Sequence, residues 1–174
     1  MRSTRDLLRR RCFLVRRRGE LLAHLNNTYS QYNVVHPVGK FSYAGNRGGL
    51  TEHFDDASVR RMIETDVNLA ANFDDELRSL ELYLTQNAKV HDPDTFHRLK
   101  TVPGIGEILA MVMMYEIHDI HRFASVGQFL SYARLVRGSH ESAGKSKGSP
   151  NKKIGNAHLK WAFSEAMVLF MREC

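Results

Sequence analysis

Cysteine is scarce in this chain. Cys12 and Cys174 stand near opposite ends of 174 residues, and neither belongs to a Cys-x-x-Cys pair. That spacing argues against a zinc site and against a disulfide framework. No apolar run approaches the ~20 residues that a membrane span needs. The N-terminus is arginine-rich but lacks the uninterrupted apolar core of a signal peptide. No run alternates cleanly enough to read as a strand, and no internal repeat is visible. The expectation is a helical, cytoplasmic protein with no membrane partner.

What is present is apolar and basic. Hydrophobic residues make up 43% of the chain and the formal net charge is +6. The first is enough for one core, or for a core with a helical arm. The second favours polyanionic partners, nucleic acid before an anionic membrane surface. A basic protein with no such partner is the alternative.

Residues 4–32 carry Leu7, Leu14 and Leu21, and in parallel Leu8, Val15, Leu22 and Leu25. Apolar positions seven apart make the narrow seam of a coiled coil. Eight arginines fall within the first 20 residues, offset by Asp6 and Glu20. They fit two readings: a solvated flank, or a phosphate-facing surface in which Arg9, Arg10, Arg16 and Arg17 face nucleic acid. Residues 33–55 lack helical periodicity and are punctuated by Pro37, Gly39, Gly45, Gly48 and Gly49. Phe41 and Tyr43, set between Lys40 and Arg47, could stack on bases; packing over the helix ends is the simpler reading. Residues 56–89 form a second long helix, capped by Asp55 or Asp56, with Val59, Met62/Ile63, Leu69/Ala70, Phe73, Leu77, Leu80 and Leu84 on its seam. Asp74-Asp75-Glu76 reads as a solvated face.

The expected fold is all-α: a long antiparallel two-helix coiled-coil arm, followed by a compact helical domain with a helix-hairpin-helix. Residues 1–90 are the arginine-rich arm, with its loop at 33–55, and residues 91–174 the C-terminal domain. One two-helix seam buries little surface alone, so the arm predicts a homo-oligomer.

Asp92-Pro93 starts a short helix through Leu99, with proline at the first helical position. Pro103-Gly104-Ile105-Gly106 then turns into an apolar helix carrying Ile108, Leu109, Val112, Met113 and Ile117. Glycines let the backbone approach a phosphate, and the helix start directs free N–H groups at it. Such contacts position DNA without reading its sequence; a plain helix–helix corner is the alternative. Ser125 can cap the next helix. A basic loop over roughly 136–155 holds Arg137, Ser139, His140, Ser142, Lys145, Ser146, Lys147, Ser149, Lys152 and Lys153, and Asn156 caps the last helix. Taken alone, such a loop is a flexible linker more often than a catalytic one. Glu116 and Asp119, near His118 and His121, have a spacing that could hold a metal, though a hydrogen-bonded turn is the simpler reading.

The order of these motifs resembles one family. It runs from the Pro-Gly-Ile-Gly hairpin through Glu116–Phe123, Tyr132-Ala133-Arg134-Leu135-Val136 and Ser142-Ala143-Gly144-Lys145 to Gly155-Asn156-Ala157-His158-Leu159. This is similar to the C-terminal domain of the IS-one-ten/IS-one-sixteen insertion-sequence transposases, and the arginine-rich helix resembles that family's middle region. The resemblance implies a serine nucleophile, which maps to Ser142 with Ser139 as fallback. The DNA contacts expected from the hairpin and the basic loop are Pro103, Gly104, Ile105, Gly106, Lys145, Lys147, Lys152, Lys153 and Asn156. Partners would be double-stranded DNA and an element-encoded guide RNA, at the nucleoid. The family pairs this domain with a RuvC-like domain whose four carboxylates hold Mg²⁺. Those carboxylates have no counterpart here, so no metal is expected in this chain, which reads as N-terminally truncated and inactive for strand cleavage by itself. Ala143 and Arg137 stand where many members have glycine and proline. The alternative is a non-catalytic nucleic-acid-binding or assembly remnant.

Overall fold

A computed structural model describes residues 1–136, 141–142, 145–146 and 154–173. It is all-α among those residues, apart from a two-residue ladder. Six α-helices follow in order: α1 (Arg2–Gln31), α2 (Ala57–His91), α3 (Pro93–Lys100), α4 (Glu107–Ile117), α5 (Val126–Tyr132) and α6 (Ala157–Glu173). The contacts divide the chain into two compact units, Arg9–Tyr83 and Met1–Leu8 with Leu84–Cys174.

In the first unit the two long helices pack antiparallel. Arg11 bonds Glu81, Arg18 bonds Asp74 and His24 bonds Asp66, so the partner's number falls as the first rises. The seam is heptad-like: Leu22, Leu25 and Tyr29 are buried on α1, and Val59, Ile63, Ala70 and Leu77 on α2. Leu69, expected to share the seam with Ala70, is instead exposed. Asp66 takes a seam position and is 8% exposed, which its contact with His24 Nδ1 at 2.5 Å makes tolerable.

The loop between the helices folds back on them. Phe41, Leu50 and Phe54 join the helix core, and the Tyr29 ring lies 4.9 Å from Phe54 and 5.6 Å from Phe41. The Tyr29 hydroxyl donates to the Leu50 carbonyl at 3.0 Å. Burial of these aromatic rings contributes about 2 kcal/mol each, which is why the loop packs although it lacks periodicity. Arg47 straps it down. Its Nε donates to the Phe41 carbonyl at 2.7 Å and its Nη2 meets Asp74 at 2.7 Å. Arg18 meets the same carboxylate and donates to the Ser42 carbonyl. Asp74 is therefore an ion-paired clamp rather than part of a solvated face. Asp56, not Asp55, caps α2, accepting from Ser58 N and Val59 N at 2.7 and 3.1 Å.

The second unit is built around α4, which is apolar on every side. Every residue from Leu109 to Glu116 is buried, as expected of a helix with neighbours all round. Both α3 and α6 pack on it.

Candidate nucleic-acid interface

The hairpin follows from its local chemistry. Asp92 caps α3, its carboxylate accepting from Thr95 N at 3.0 Å, and Pro93 fills a first-turn position that needs no donor. The helix closes at Thr101. Ile105 N then returns to the Val102 carbonyl at 3.0 Å, with Gly104 at φ +81°. A Cβ on Gly104 would lie 2.6 Å from the Ala166 carbonyl oxygen and 2.7 Å from Phe170 N. The glycine is therefore required by the approach of the turn to the backbone of α6. Gly106 begins α4 and has no side chain to cap it, so the first N–H groups of α4 remain available to a ligand. An open groove of about 450 Å³ runs along residues 100–106 and Leu169. Lys100 Nζ reaches Glu107 Oε1 at 2.8 Å across the turn, placing one cation and one anion beside the start of α4.

At the other end of α4 lies the base of the serine loop. Asn156 N donates to the Tyr132 carbonyl at 2.6 Å. Gly155, at φ +82°, presses on the same carbonyl and on Arg134, where a Cβ would stand 2.7 and 3.0 Å from them. Loop entry and exit are thus fastened together. Within the loop Glu141–Ser142 pairs antiparallel with Lys145–Ser146, making Ser142 and Lys145 Cα partners. Ser139, Lys147, Lys152 and Lys153 lie outside the described residues.

Asn156 sits in this base rather than on the surface. It is 7% exposed. Its Oδ1 caps α6 by accepting from His158 N and Leu159 N at 2.9 and 3.1 Å. Its Nδ2 donates to Glu116 Oε2 at 2.7 Å and to the Tyr132 hydroxyl at 3.3 Å. Arg122 lies over the Tyr132 ring, 4.7 Å from its centroid, and donates to the Glu116 carbonyl. Burial raises the Tyr132 pKa, but hydrogen bonds from Asn156 and Arg122 and the Arg122 charge outweigh it, and the net shift is downward. Asp119 accepts from His121 N at 2.8 Å, which is the hydrogen-bonded turn, while Glu116 is committed to Asn156.

The hairpin and the loop base therefore occupy opposite ends of the same two helices. Gly104 meets α6 at Ala166 and Phe170, and Asn156 meets α4 at Glu116. Ten residues of α4 separate Gly106 from Glu116, about 15 Å at 1.5 Å per residue. Sequence reading identified both motifs but not the Glu116–Asn156–Tyr132–Arg122 cluster that joins them, because its members lie up to 40 residues apart.

The arginines of α1 divide by environment. Arg11 and Arg18 are tied to carboxylates of α2. Arg10, Arg16 and Arg17 are exposed and Arg9 is half-buried. Arg10 and Arg17 flank the exposed Phe13 ring at 4.8 and 5.0 Å. Arg17 also pairs with Glu20 at 2.6 Å.

Residues 96–173 match the family described as Transposase IS116/IS110/IS902 family. The matched segment runs from α3 to the end of α6 and contains the hairpin, the serine loop and the buried cluster beneath it. The C-terminal part of the chain is thus similar to transposases of insertion sequences. No curated protein and no solved structure matches the chain significantly. Among the described residues no helix is long and apolar enough to cross a membrane.

Proposed function

We propose that the chain binds duplex DNA and serves DNA transposition through Ser142. The observation that carries this reading is the family match over 96–173, which covers both ends of the α4–α6 pair. The hairpin offers the unpaired N–H groups of α4 to one backbone phosphate. The loop base sits about 15 Å away, the rise of four to five base pairs at 3.4 Å each. The hairpin and the serine would thus engage separate phosphates of one duplex, the first anchoring it while the second reacts.

In the reaction proposed, the Ser142 oxygen bonds to the scissile phosphorus and gives up its proton. The bond from phosphorus to the leaving sugar oxygen breaks, and that oxygen takes up a proton. Lys145, the Cα partner of Ser142, and the loop cations Lys147, Lys152 and Lys153 neutralise charge on the phosphate. Asn156 positions the loop through its cap and its bond to Glu116. Arg9, Arg10, Arg16 and Arg17 supply further phosphate contacts, to DNA or to a guide RNA. Pairing of copies through the long helices would bring one copy's serine to another chain's RuvC-like carboxylates.

Mg²⁺ belongs to those carboxylates. The described residues contain no group of three or more His, Cys, Asp or Glu able to hold a metal ion. The described residues do not fit that role.

The test supplies the RuvC-like domain together with Ser142→Ala in a transposition assay. The variant is expected to bind DNA as the unsubstituted chain does but to form no covalent protein–DNA adduct. Adduct and strand transfer at the unsubstituted level would contradict the assignment. Retained assembly with no adduct from either protein would favour a non-catalytic binding module.

A further inference from the structure

We propose that α6 is a self-association surface, whose outward face packs antiparallel on the same face of a second copy of this chain. The inference stands apart from the DNA-binding reading above and does not depend on it.

The first observation is a helix end with no polar side. α6 packs inward through Leu159, Ala162 and Ala166, all buried and all on one face of the helix. From Met167 to Met171 the sequence is Met-Val-Leu-Phe-Met, so apolar side chains point in every direction around the helix. The hairpin meets one side of this stretch, where Gly104 approaches Ala166, Leu169 and Phe170. Met167, Val168 and Met171 remain 59, 49 and 63% exposed. Single exposed apolar residues need no explanation, but a helix that is apolar all round is a buried helix in its assembled state.

The second observation is the pattern of the uncovered face. Trp161, Ser164, Val168 and Met171 are exposed, follow the 3-4-3 spacing of a seam and lie opposite the buried face. Glu165 and Arg172 hold equivalent positions on one edge of that seam. They stand seven residues apart, about 10 Å along the helix at 1.5 Å per residue, too far to pair with each other. Among the described residues neither side chain has a hydrogen-bond or ion-pair partner.

These two charges indicate what covers the face. Two antiparallel α6 helices related by a two-fold axis between Val168 and Leu169 set Glu165 of each copy level with Arg172 of the other, on the same edge. Two ion pairs then form between the copies. Val168 meets its own counterpart at the axis, and the small Ser164 leaves room for Met171 of the other copy. A nucleic acid or an anionic membrane surface would answer Arg172 and repel Glu165. A surface that carries both signs in reversed order answers both, and a second α6 is such a surface. The face is one helix long, about 25 Å, so it buries less than the ~800 Å² per partner of a standard interface. The contact alone is weak, with a Kd on the order of 100 µM. It is stronger wherever copies are already held together at another surface.

The experiment is sedimentation equilibrium of the full chain, Glu165→Arg, Arg172→Glu and the double swap, with thermal unfolding in parallel. Each single swap sets like charges opposite each other twice and should weaken self-association about tenfold. The double swap restores the pairs and should return the affinity to within about twofold of the parent. All four should share one Tm, since the positions are exposed. A cross-link reports the contact independently of the charges and of any other meeting of copies. With Cys12→Ser and Cys174→Ser as background, Val168→Cys should form a disulfide-linked dimer on mild oxidation, and Lys160→Cys, far from the axis, should not. Equal self-association by all four proteins, a double swap as weak as the single swaps, or a Val168→Cys chain that stays unlinked above the expected Kd would overturn the inference. The DNA-binding reading would stand in each of those cases.

Discussion

Asn156 and Glu116 form a buried hydrogen bond of 2.7 Å that joins the start of α6 to the end of α4. One amide does two things there: its oxygen caps α6, and its nitrogen satisfies a carboxylate that is 2% exposed. Asn156→Ala removes the cap, worth about 1 kcal/mol, and takes one hydrogen bond from the buried carboxylate, at about 2 kcal/mol more. Denaturant unfolding should show a loss of about 3 kcal/mol. Asn156→Asp keeps the cap but sets a second carboxylate against Glu116. One of the two then holds a proton in the folded state, so its folded pKa rises above the unfolded value. That stability is present below about pH 4 and is lost as pH rises toward neutrality. The aspartate variant should therefore come nearest to the parent at low pH.

Gly104→Ala tests the other end of the same helix pair. The new methyl group meets the backbone of α6 at 2.6 and 2.7 Å and sits on a residue at φ +81°. The two effects together should cost about 2–4 kcal/mol. Amide exchange should quicken at the C-terminal half of α6 before it quickens at Asn156. A variant as stable as the parent would show that the turn does not press on α6.

Glu107 stands in the first turn of α4, where a phosphate is proposed to bind, and is paired with Lys100. Glu107→Gln removes a competing negative charge and frees a cation. DNA affinity should rise about two- to fivefold at low salt, with a stability loss of about 0.5 kcal/mol. Filter binding measures the first and thermal unfolding the second. Weaker binding would place the DNA elsewhere.

Tyr115 and Tyr132 should ionise in a set order. Burial pushes the Tyr115 hydroxyl up to about 12, whereas the net shift of Tyr132 is downward. Because the folded value for Tyr115 exceeds the unfolded value of about 10, the folded state holds the proton longer. Its contribution to stability is complete below about pH 10 and is lost as pH rises through about 12. An ultraviolet titration should show Tyr132 ionising first, a step absent from Tyr132→Phe, and Tyr115 late.

Much of this was legible in the sequence where the signal is local. Heptad spacing placed α1 and α2, Asp92-Pro93 and Ser125 marked helix starts, and Pro103–Gly106 marked the turn. The misreadings share a cause. Asp74 looked solvated because its partners, Arg18 and Arg47, are 56 and 27 positions away. Asn156 looked like a DNA contact because a polar residue at a helix start carries no sign of what its second polar atom will meet. Leu69 fits the heptad as well as Ala70 does, and only packing decides which of two adjacent apolar residues faces the seam. Arg134 stands within the Tyr132–Val136 motif, but its positive φ is set by the close of α5, where Leu135 N returns to the Leu130 carbonyl at 2.9 Å.

The most direct measurement is the affinity of the purified chain for duplex DNA over a range of salt concentrations. The account predicts binding at low salt that weakens steeply, with a log–log slope of about −4 or steeper as the hairpin, the serine loop and the arginines of α1 release counterions from several phosphates. Absence of binding at low salt, or binding indifferent to salt, would contradict it.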